Sequence, residues 1–462
     1  MPDEFVTFDL GIENGTVVTG AGRAPGHVYV LGGSIAAIST MRLRARERVD
    51  ASDLLVMPGM VDTHVHLMDP GDPSREDFPS GTAAAAGAGV TTIIEHTHSN
   101  PVTNERQLSE KRRYLANRSR VDFALAAHAL RDNLDDIPGL WAAGAAFFKV
   151  FTCTTHGILG LEPMQLRRLF DLVAEVGAVC LVHAEDEAIT ATMERRLRSA
   201  GRTDGGVIPE WRSRAAEISA LVAVSRLAEE TGARIVTAHL SHPDAVRVAA
   251  EASRSGGPIL RETCPQYLTL LANEVLALGP LRKFTPPARA EDARGLAEMW
   301  ELVRTGEISH ISSDHAPSTQ AQKSQGTIWD APFGLPGLDT TLGLLLDAAA
   351  KGLISYERLV ECYSEAPARA YGLAPRKGSM EIGADADLII VDPAAGWVVD
   401  KTTLRSRAGW SPYEGRHLQG RTIQTYVRGT LVAAGDWVAE PGHGQFVPGA
   451  GWLDRPAWTG SP

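Results

Sequence analysis

The chain has 462 residues, a formal net charge of −11, 44% hydrophobic residues and 22% charged residues. This composition is typical of a globular protein, and the acidic balance argues against a nucleic-acid partner. No apolar run approaches the roughly 20 residues of a membrane-spanning helix, so no membrane partner is expected. The first ten residues lack the basic and apolar regions of a signal peptide, which predicts a cytoplasmic protein.

Residues 1–56 form the first part of a predicted small β domain. Short segments such as FVTFDLGI and HVYVLGGSIAAIS are separated by glycines, as is typical of strands and turns. Strand-like segments return near the other end of the chain, in GADADLIIVDP and RTIQTYVRGTLVAAGDWV. We therefore predict a β-sandwich-like domain built from both termini, with residues 376–440 as its second part. The tail, residues 441–462, has no pattern that assigns it.

Residues 57–375 alternate strand-length apolar runs with stretches of helical periodicity. The runs are GMVDTHVHL, GVTTIIEHT, VDFALAAHA, AAFFKVF, AVCLVHAE, ARIVTAHL, GPILRETC and ISHISSDH. Continuous apolar strands that alternate with helices imply a parallel sheet covered by helices. Eight such units in series predict an α/β fold of the (β/α)8 TIM-barrel type, with further helices near 337–350 and 355–371.

Polar side chains stand near the C-terminal ends of five barrel strands, where barrel enzymes carry their functional groups. The first strand ends in His64 and His66, whose i, i+2 spacing points both imidazoles to one side. The other candidates are Lys149, His183, His239 and Asp314. Each has a purely structural alternative: a histidine can be a satisfied core residue, a lysine can pair with a carboxylate, and an aspartate can cap a helix. All of these alternatives must hold together to explain the set, so a metal site is the better interpretation.

Lys149 is the most informative candidate, because a charged lysine inside an apolar strand costs several kcal/mol when unpaired. Burial and nearby cations lower a lysine pKa and favour the neutral amine. A neutral amine can add carbon dioxide and become N6-carboxylysine, whose carbamate oxygens can bridge two divalent cations roughly 3.5–4 Å apart. The predicted cofactors are two divalent metal ions per chain and a CO2-derived carbamate on Lys149.

Seven motifs then carry a family resemblance: PGMVDTHVHL, FFKVF, LVHAED, TAHLSH, ETCPQYL, SSDHAP and GADADLIIVD. With these motifs in this order, the chain resembles the cyclic amidohydrolases, the family of hydantoinases, dihydropyrimidinases, allantoinases and dihydroorotases. The resemblance implies zinc as the usual metal and a homodimer or homotetramer as the usual assembly. It implies one metal ion held by His64, His66, Lys149 and Asp314. It implies a second held by Lys149, His183 and His239.

The activity that follows from the resemblance is hydrolysis of a small cyclic amide such as a hydantoin, dihydropyrimidine, allantoin or cyclic imide. Metal binding lowers the pKa of water to about 7, so a metal-bridging hydroxide is expected near neutral pH. The hydroxide would attack the ring carbonyl. Asp314 would take its proton and return it to the leaving ring nitrogen.

Two departures from the family pattern bear on the substrate. Dihydroorotases carry HVHLREPG, and here HVHLMDPG places Met68 where their arginine binds the substrate carboxylate. Their second strand ends in MPN, and here EHTHSNP places His98 near the asparagine position. Dihydroorotate is therefore a disfavoured substrate, and His98 is a candidate contact for the ring. The structural alternative is that one of His96 and His98 packs in the barrel wall while the other forms a hydrogen bond near the mouth.

The group that would stabilise the oxyanion is also different. Hydantoinases and dihydropyrimidinases usually have a tyrosine shortly after the lysine, but the stretch here is FTCTTHGI. Thr154, Thr155 or His156 could donate the hydrogen bond instead. The loop WDAPFGLPGLD, which contains Phe333 and Gly334, is expected over the barrel mouth, where its backbone could hold a ring amide.

Three alternatives remain open at this point. The chain could be a dihydroorotase, or it could act on a linear amide, a lactone or an exocyclic amine. It could also be a non-catalytic assembly protein on the same fold, although the complete ligand set counts against that. A mononuclear deaminase would not need Lys149 inside an apolar strand.

Overall fold

Three groups of strands follow one another along residues 6–453, the part of the chain that the computed structural model describes. The first group is β1 (Phe8–Thr19), β2 (Gly22–Leu31), β3 (Ser34–Ser39), β4 (Ala45–Asp50) and β5 (Leu55–Pro58). The second is β6 (Met60–Val65), β7 (Val90–Glu95), β8 (Asp122–Leu125), β9 (Ala127–His128), β10 (Phe148–Phe151), β11 (Val179–His183), β12 (Arg234–Thr237), β13 (Ile259–Thr263) and β14 (His310–Ile311). The third is β15 (Leu388–Val398), β16 (His417–Val427), β17 (Thr430–Ala434) and β18 (Trp437–Val438).

The second group forms a closed parallel barrel. Strands β6, β7 and β8 pair in sequence order, and so do β9 to β14. The short segments β8 and β9 make up one barrel strand that is interrupted at Ala126. The barrel closes where His66 N–H donates to the carbonyl of His315 at 2.8 Å, beside a parallel bridge between Val65 and His315. The predicted (β/α)8 class is confirmed.

The helices lie between and after the barrel strands. They are α1 (Phe78–Ala88), α2 (Glu105–Leu115), α3 (Ile137–Ala142), α4 (Pro163–Val176), α5 (Glu187–Ser199), α6 (Val207–Trp211), α7 (Arg214–Thr231), α8 (Pro243–Arg254), α9 (Pro265–Thr269), α10 (Glu274–Leu278), α11 (Ala293–Arg304), α12 (Gln320–Lys323), α13 (Thr341–Ala350), α14 (Tyr356–Val360) and α15 (Ala366–Ala370). A π-helical turn at Glu361–Glu365 joins α14 to α15. Within residues 6–453, no helix has both the length and the apolar character to cross a membrane.

Helix α4 shows how local sequence sets these boundaries. Glu162 and Gln165 form a reciprocal capping box at its start, and Pro163 occupies the first turn, where no backbone donor is needed. The helix ends at Gly177, whose φ of 69° lies in the left-handed region that favours glycine. Its buried face, including Leu169 and Phe170, packs in the main hydrophobic core outside the barrel wall.

The first and third groups of strands form one sheet, so both termini build the second domain. Its order is β18-β17-β16-β15-β5-β1-β2-β3, and β4 pairs with β1 in parallel. The antiparallel pairing of β5 with β15 joins the two halves into one sheet. The predicted boundary after residue 56 lies inside β5, whose apolar residues join this sheet rather than the barrel.

The tail, residues 441–462, has no structure assigned from its sequence pattern. Its residues 441–453 pack against the barrel, and residues 454–462 lie outside the described part. Phe123 N–H in β8 donates to Gln445 O at 3.0 Å, and Val447 N–H donates to Phe123 O at 2.7 Å. A Cβ on Gly449 would lie 2.1 Å from Ala145 O, so the tail passes too close for a side chain. Because Phe123 lies near the start of β8, the tail covers the N-terminal end of the barrel strands, opposite the mouth.

A buried ion cluster joins the barrel, the terminal sheet and the segment between them. Lys377 Nζ lies 2.8 Å from carboxylate oxygens of both Asp385 and Asp387, and it also contacts Asp122 at the start of β8. Lys377, Asp122 and Asp387 are all buried. Removing one partner of a buried ion pair leaves uncompensated charge in a low-dielectric interior.

We expect Lys377→Met to lower the free energy of unfolding by about 3–5 kcal/mol, because the buried carboxylates lose their ammonium partner. Denaturant unfolding monitored by circular dichroism measures this change. The control is Arg106→Met, since Arg106 and its partner Glu110 are 79% and 50% exposed, and its loss should cost less than about 1 kcal/mol. Equal effects from the two variants would contradict a supporting role for the cluster.

Candidate metal centre

The six predicted ligands converge at the C-terminal mouth of the barrel and line one cavity. Lys149 Nζ and Asp314 Oδ1 both lie 3.3 Å from His64 Nε2. His66 Nε2 is also 3.3 Å from Asp314 Oδ1. On the other side, His183 Nδ1 and His239 Nε2 are 2.9 Å apart. The set therefore forms two adjoining groups around Lys149.

Two of these residues have an unusual backbone. His239 follows β12 with a φ of 40°, and Asp314 follows β14 with a φ of 49°. A left-handed conformation is uncommon for residues other than glycine and costs of order 1–3 kcal/mol. Such strain is found where a site needs a side chain in one particular place.

Hydrogen bonds orient the first two imidazoles. His64 Nδ1–H donates to Glu262 Oε1 at 2.7 Å, and His66 Nδ1–H donates to the backbone carbonyl of His96 at 2.7 Å. Each bond fixes the ring orientation and the tautomer, as is usual for metal-binding histidines. The Nε2 atoms of both rings are then left with lone pairs directed at Lys149 and Asp314.

His183, at the end of the fifth barrel strand, is oriented by a hydrogen bond from Nε2 rather than from Nδ1. His183 Nε2–H donates to Glu185 Oε2 at 2.8 Å, which leaves Nδ1 as the acceptor facing His239. Thr285 Oγ1 donates to the same carboxylate oxygen at 2.8 Å, and Arg212 lies 3.2 Å from it. Burial opposes ionisation of Glu185, but Arg212 and His183 lower its pKa to about 2.

The protonation states suit metal binding. Burial lowers the pKa of Lys149 to about 8, although Asp314 and Glu262 oppose the shift. Burial also lowers the pKa of His66 to about 4. Burial opposes ionisation of Asp314, but His64 and His66 hold its pKa below the usual value. Neutral imidazoles and an ionised carboxylate are the forms that bind divalent metals.

Three groups of described residues bring three potential ligand atoms within 4.8 Å of one another. They are His64 with His66 and His96, Cys153 with His183 and Glu185, and Asp122 with Asp385 and Asp387. The second group holds the guanidinium of Arg212, which contacts Cys153 and Glu185. The third holds the ammonium of Lys377. Among these three groups of described residues, the histidine group is the one that does not enclose an arginine or lysine side chain. Lys149 lies beside it.

The cavity above the centre is small, with a volume of about 20 Å³, and its walls are largely aromatic. The rings of His98 and His156 stack with centroids 4.4 Å apart, and Phe151 and Phe333 stand beside them. Its lining also includes Thr285, Ala316 and Gly334. Of the tentative substrate contacts, His98, Phe333 and Gly334 therefore line the cavity.

Thr154 and Thr155 lie outside this lining. The Thr154 hydroxyl donates to Glu187 Oε1 at 2.9 Å, because α5 brings that carboxylate to the turn. Thr155 is buried and pairs with Ile158 through the backbone. His156, at a φ of 54°, turns into the cavity in their place.

The loop at 329–339 does reach the mouth, but its backbone is already engaged. Gly334 N–H donates to Lys283 O at 3.1 Å, and Phe333 O accepts from Arg75. Gly334 has a φ of 113°, and a Cβ there would lie 2.2 Å from Ala316 O. The loop thus contributes the Phe333 ring and brings the backbone of Gly334 close to Ala316. The N–H of Gly334 and the carbonyl of Phe333 are already hydrogen-bonded within the chain.

Two residues that contact the candidate ligands, Glu185 and Glu262, were not singled out from the sequence. Each carboxylate accepts a hydrogen bond from a candidate ligand histidine, and each lies inside a motif, LVHAED or ETCPQYL, at or near a strand end. Glu262 lies within β13 and Glu185 follows β11 by two residues, and a carboxylate at such a strand end was the available signal. His315, beside Asp314, accepts from the backbone N–H groups of Gly337 and Leu338 and lies outside the cavity lining.

A (β/α)8 barrel with histidines, a lysine and an aspartate at its C-terminal mouth defines a barrel enzyme of the hydrolase type. The model of the amidohydrolase family matches residues 55–432. The chain belongs to this family, and the prediction that it is a hydrolase is confirmed.

Three relatives show how far this likeness extends. A solved structure of an L-hydantoinase from Arthrobacter aurescens is 34% identical, has a TM-score of 0.91 and covers 96% of this chain and 100% of its own. An allantoinase of Rubrobacter xylanophilus is 35% identical over 95% of this chain and 97% of its own length. A dihydroorotase of Halobacterium salinarum is 34% identical over 85% and 89%. Nearly equal identities to three differently named enzymes do not select a substrate.

Proposed function

We propose that this chain is a binuclear metal hydrolase that opens a neutral cyclic amide or imide. The observation that carries the proposal is the pair of adjoining ligand groups, with the buried Lys149 beside His64 in the first and the ring nitrogens of His183 and His239 2.9 Å apart in the second. The first metal ion would be held by His64, His66, Lys149 and Asp314. The second would be held by Lys149, His183 and His239. Lys149 would act as N6-carboxylysine, because burial lowers the pKa of its amine to about 8 and so makes the neutral form that adds carbon dioxide more accessible near neutral pH.

The side chains around the centre would have separate roles in the reaction. When bound, the metal ions would lower the pKa of a water molecule to about 7 and polarise the ring carbonyl. Asp314 Oδ1 would accept a proton from that water and return it to the leaving ring nitrogen. The aromatic walls formed by His98, His156 and Phe333 would position a planar ring and exclude bulk water.

The first test is metal content. We expect about two divalent metal ions per chain, loss of hydrolysis after chelation, and recovery with zinc, cobalt or manganese. Elemental analysis beside hydrolysis of a cyclic amide panel measures this. A fully active preparation without metal would overturn the proposed function.

The preference for neutral rings rests on the charges around the cavity. Among the described residues that line it, Lys149 is the only lysine or arginine. Met68 is buried outside the lining. Lys283 donates to the carbonyls of Ile328 and Trp329, and Arg289 pairs with Glu217, so neither offers a free charge at the mouth. A substrate carboxylate would be buried without a cationic partner, which costs several kcal/mol.

We therefore expect kcat/KM for at least one neutral ring to exceed that for dihydroorotate about a hundredfold or more. The panel is hydantoin, dihydrouracil, allantoin, a cyclic imide and dihydroorotate. His98→Ala should change the ratios within the panel, because His98 lines the cavity, whereas His417→Ala on the surface should not. A highest value for dihydroorotate would contradict the preference, and unchanged ratios in His98→Ala would remove His98 as a contact.

A further inference from the structure

His96 is a buried polar side chain that the proposed ligand set does not use. It follows β7 and is 1% exposed. Within residues 6–453, neither of its ring nitrogens has a hydrogen-bond partner. Buried polar groups in native proteins are nearly always paired, and an unpaired one points to a water or an ion. The His96 ring therefore has two nitrogens that could bind a ligand, and neither has an assigned partner.

The position of His96 relates it to the first metal group. Its ring centroid lies 4.8 Å from that of His64 and 4.4 Å from that of His66. One nitrogen from each of the three rings can lie within 4.8 Å of the others. The rings of His98 and His128 are farther away, at 6.1 and 6.2 Å.

The backbone of the same residue supports this arrangement. The carbonyl of His96 accepts the hydrogen bond that orients His66, so any movement of residue 96 also moves a proposed ligand. A packing role alone is a weaker account, since one face of the ring meets Phe147 while both nitrogens stay unpaired. A methionine would fill the same space without any unpaired nitrogen.

We propose that His96 supplies a third imidazole nitrogen to the metal ion that His64 and His66 would hold. The inference rests on the proposed function and deepens it. The two metal positions then differ, with three imidazoles at the first and two, from His183 and His239, at the second. Imidazole-rich sites favour zinc, nickel or copper over manganese, so the first position should discriminate more strongly among metals.

Metal retention tests the inference on the full-length protein. Wild type, His96→Met and His128→Met are loaded with zinc, and metal loss to a chelator is followed. His128→Met is the matched control, because it also removes a buried imidazole from the adjacent barrel strand. In His96→Met we expect one of the two ions to leave about tenfold faster or more, with the other ion and the control unchanged. Equal loss from all three proteins would overturn the inference.

A second measurement needs no variant to be interpretable. In the cobalt-substituted protein, each coordinated histidine contributes one strongly shifted, exchangeable imidazole N–H signal in the proton NMR spectrum. We expect five signals in wild type and in His128→Met, and four in His96→Met. Two bound metals with only four signals in wild type would refute the role of His96 and leave the proposed function intact. Failure of wild type to bind metal would instead refute the proposed function.

Discussion

Lys149→Ala should lose both metal ions and lower turnover roughly a thousandfold or more. Lys149 is 1% exposed and lies 3.3 Å from His64 Nε2. In the proposed centre it is the ligand that both metal ions share, so its removal would weaken both positions at once. Bound metal ions would supply several kcal/mol of transition-state stabilisation, and each 1.4 kcal/mol is about tenfold in rate. Elemental analysis and kcat measured on the same preparation test the two effects together.

Chemical rescue separates a carbamate from a simple structural role. Short carboxylic acids added to Lys149→Ala should restore part of the metal content and activity, because they can place bridging oxygens in the vacated space. Lys149→Arg should show no rescue, since its guanidinium stays charged and repels the cations. Lys351→Ala, on the surface, is the control for loss of a lysine. An experimental structure with an unmodified ammonium between two metal ions would contradict the carbamate.

Asp314→Asn should retain metal and lose turnover by about two to four orders of magnitude. The amide oxygen can still coordinate a metal ion, but it cannot accept a proton from water or return one to the ring nitrogen. The contacts of Asp314 with His64 and His66, at 3.3 Å each, place it beside both first-group imidazoles. Metal content and single-turnover rates measured on one preparation distinguish coordination from proton transfer.

The control for this substitution is Asp436→Asn, whose side chain is 97% exposed and far from the mouth in sequence and fold. Its turnover should equal that of wild type. Near-normal turnover of Asp314→Asn with two metals bound would place the proton acceptor on another residue.

The barrel could be predicted because its strands are buried on both faces. Such strands are continuous apolar runs, and strands like β11, with every residue buried, leave little ambiguity. Helix α1 was not predicted, because its alanine- and glycine-rich sequence FPSGTAAAAGA has no amphipathic period. Its start is set by Asp77, which caps the backbone N–H of Ser80, and its end by Gly89.

The six metal-ligand candidates were accessible from sequence since strand ends in a barrel converge on one mouth. The walls of the cavity were not, because they depend on how turns are folded. The stretch after Lys149 offered three candidate donors, and only the left-handed conformation of His156 and the reach of Glu187 to Thr154 separate them. His96 lies close to His64 because neighbouring strands place the two residues side by side, and this proximity could not be predicted from the sequence.

The pairing of β5 with β15 has a consequence for how the protein is made. About 330 residues separate Pro58 from Leu388. At typical translation rates the ribosome needs on the order of 15–65 s to synthesise that stretch. During this time β5 has emerged without its antiparallel neighbour, and an unpaired strand edge is a template for aggregation. Nascent chains of this protein should therefore depend on chaperones until the last strands have left the ribosome.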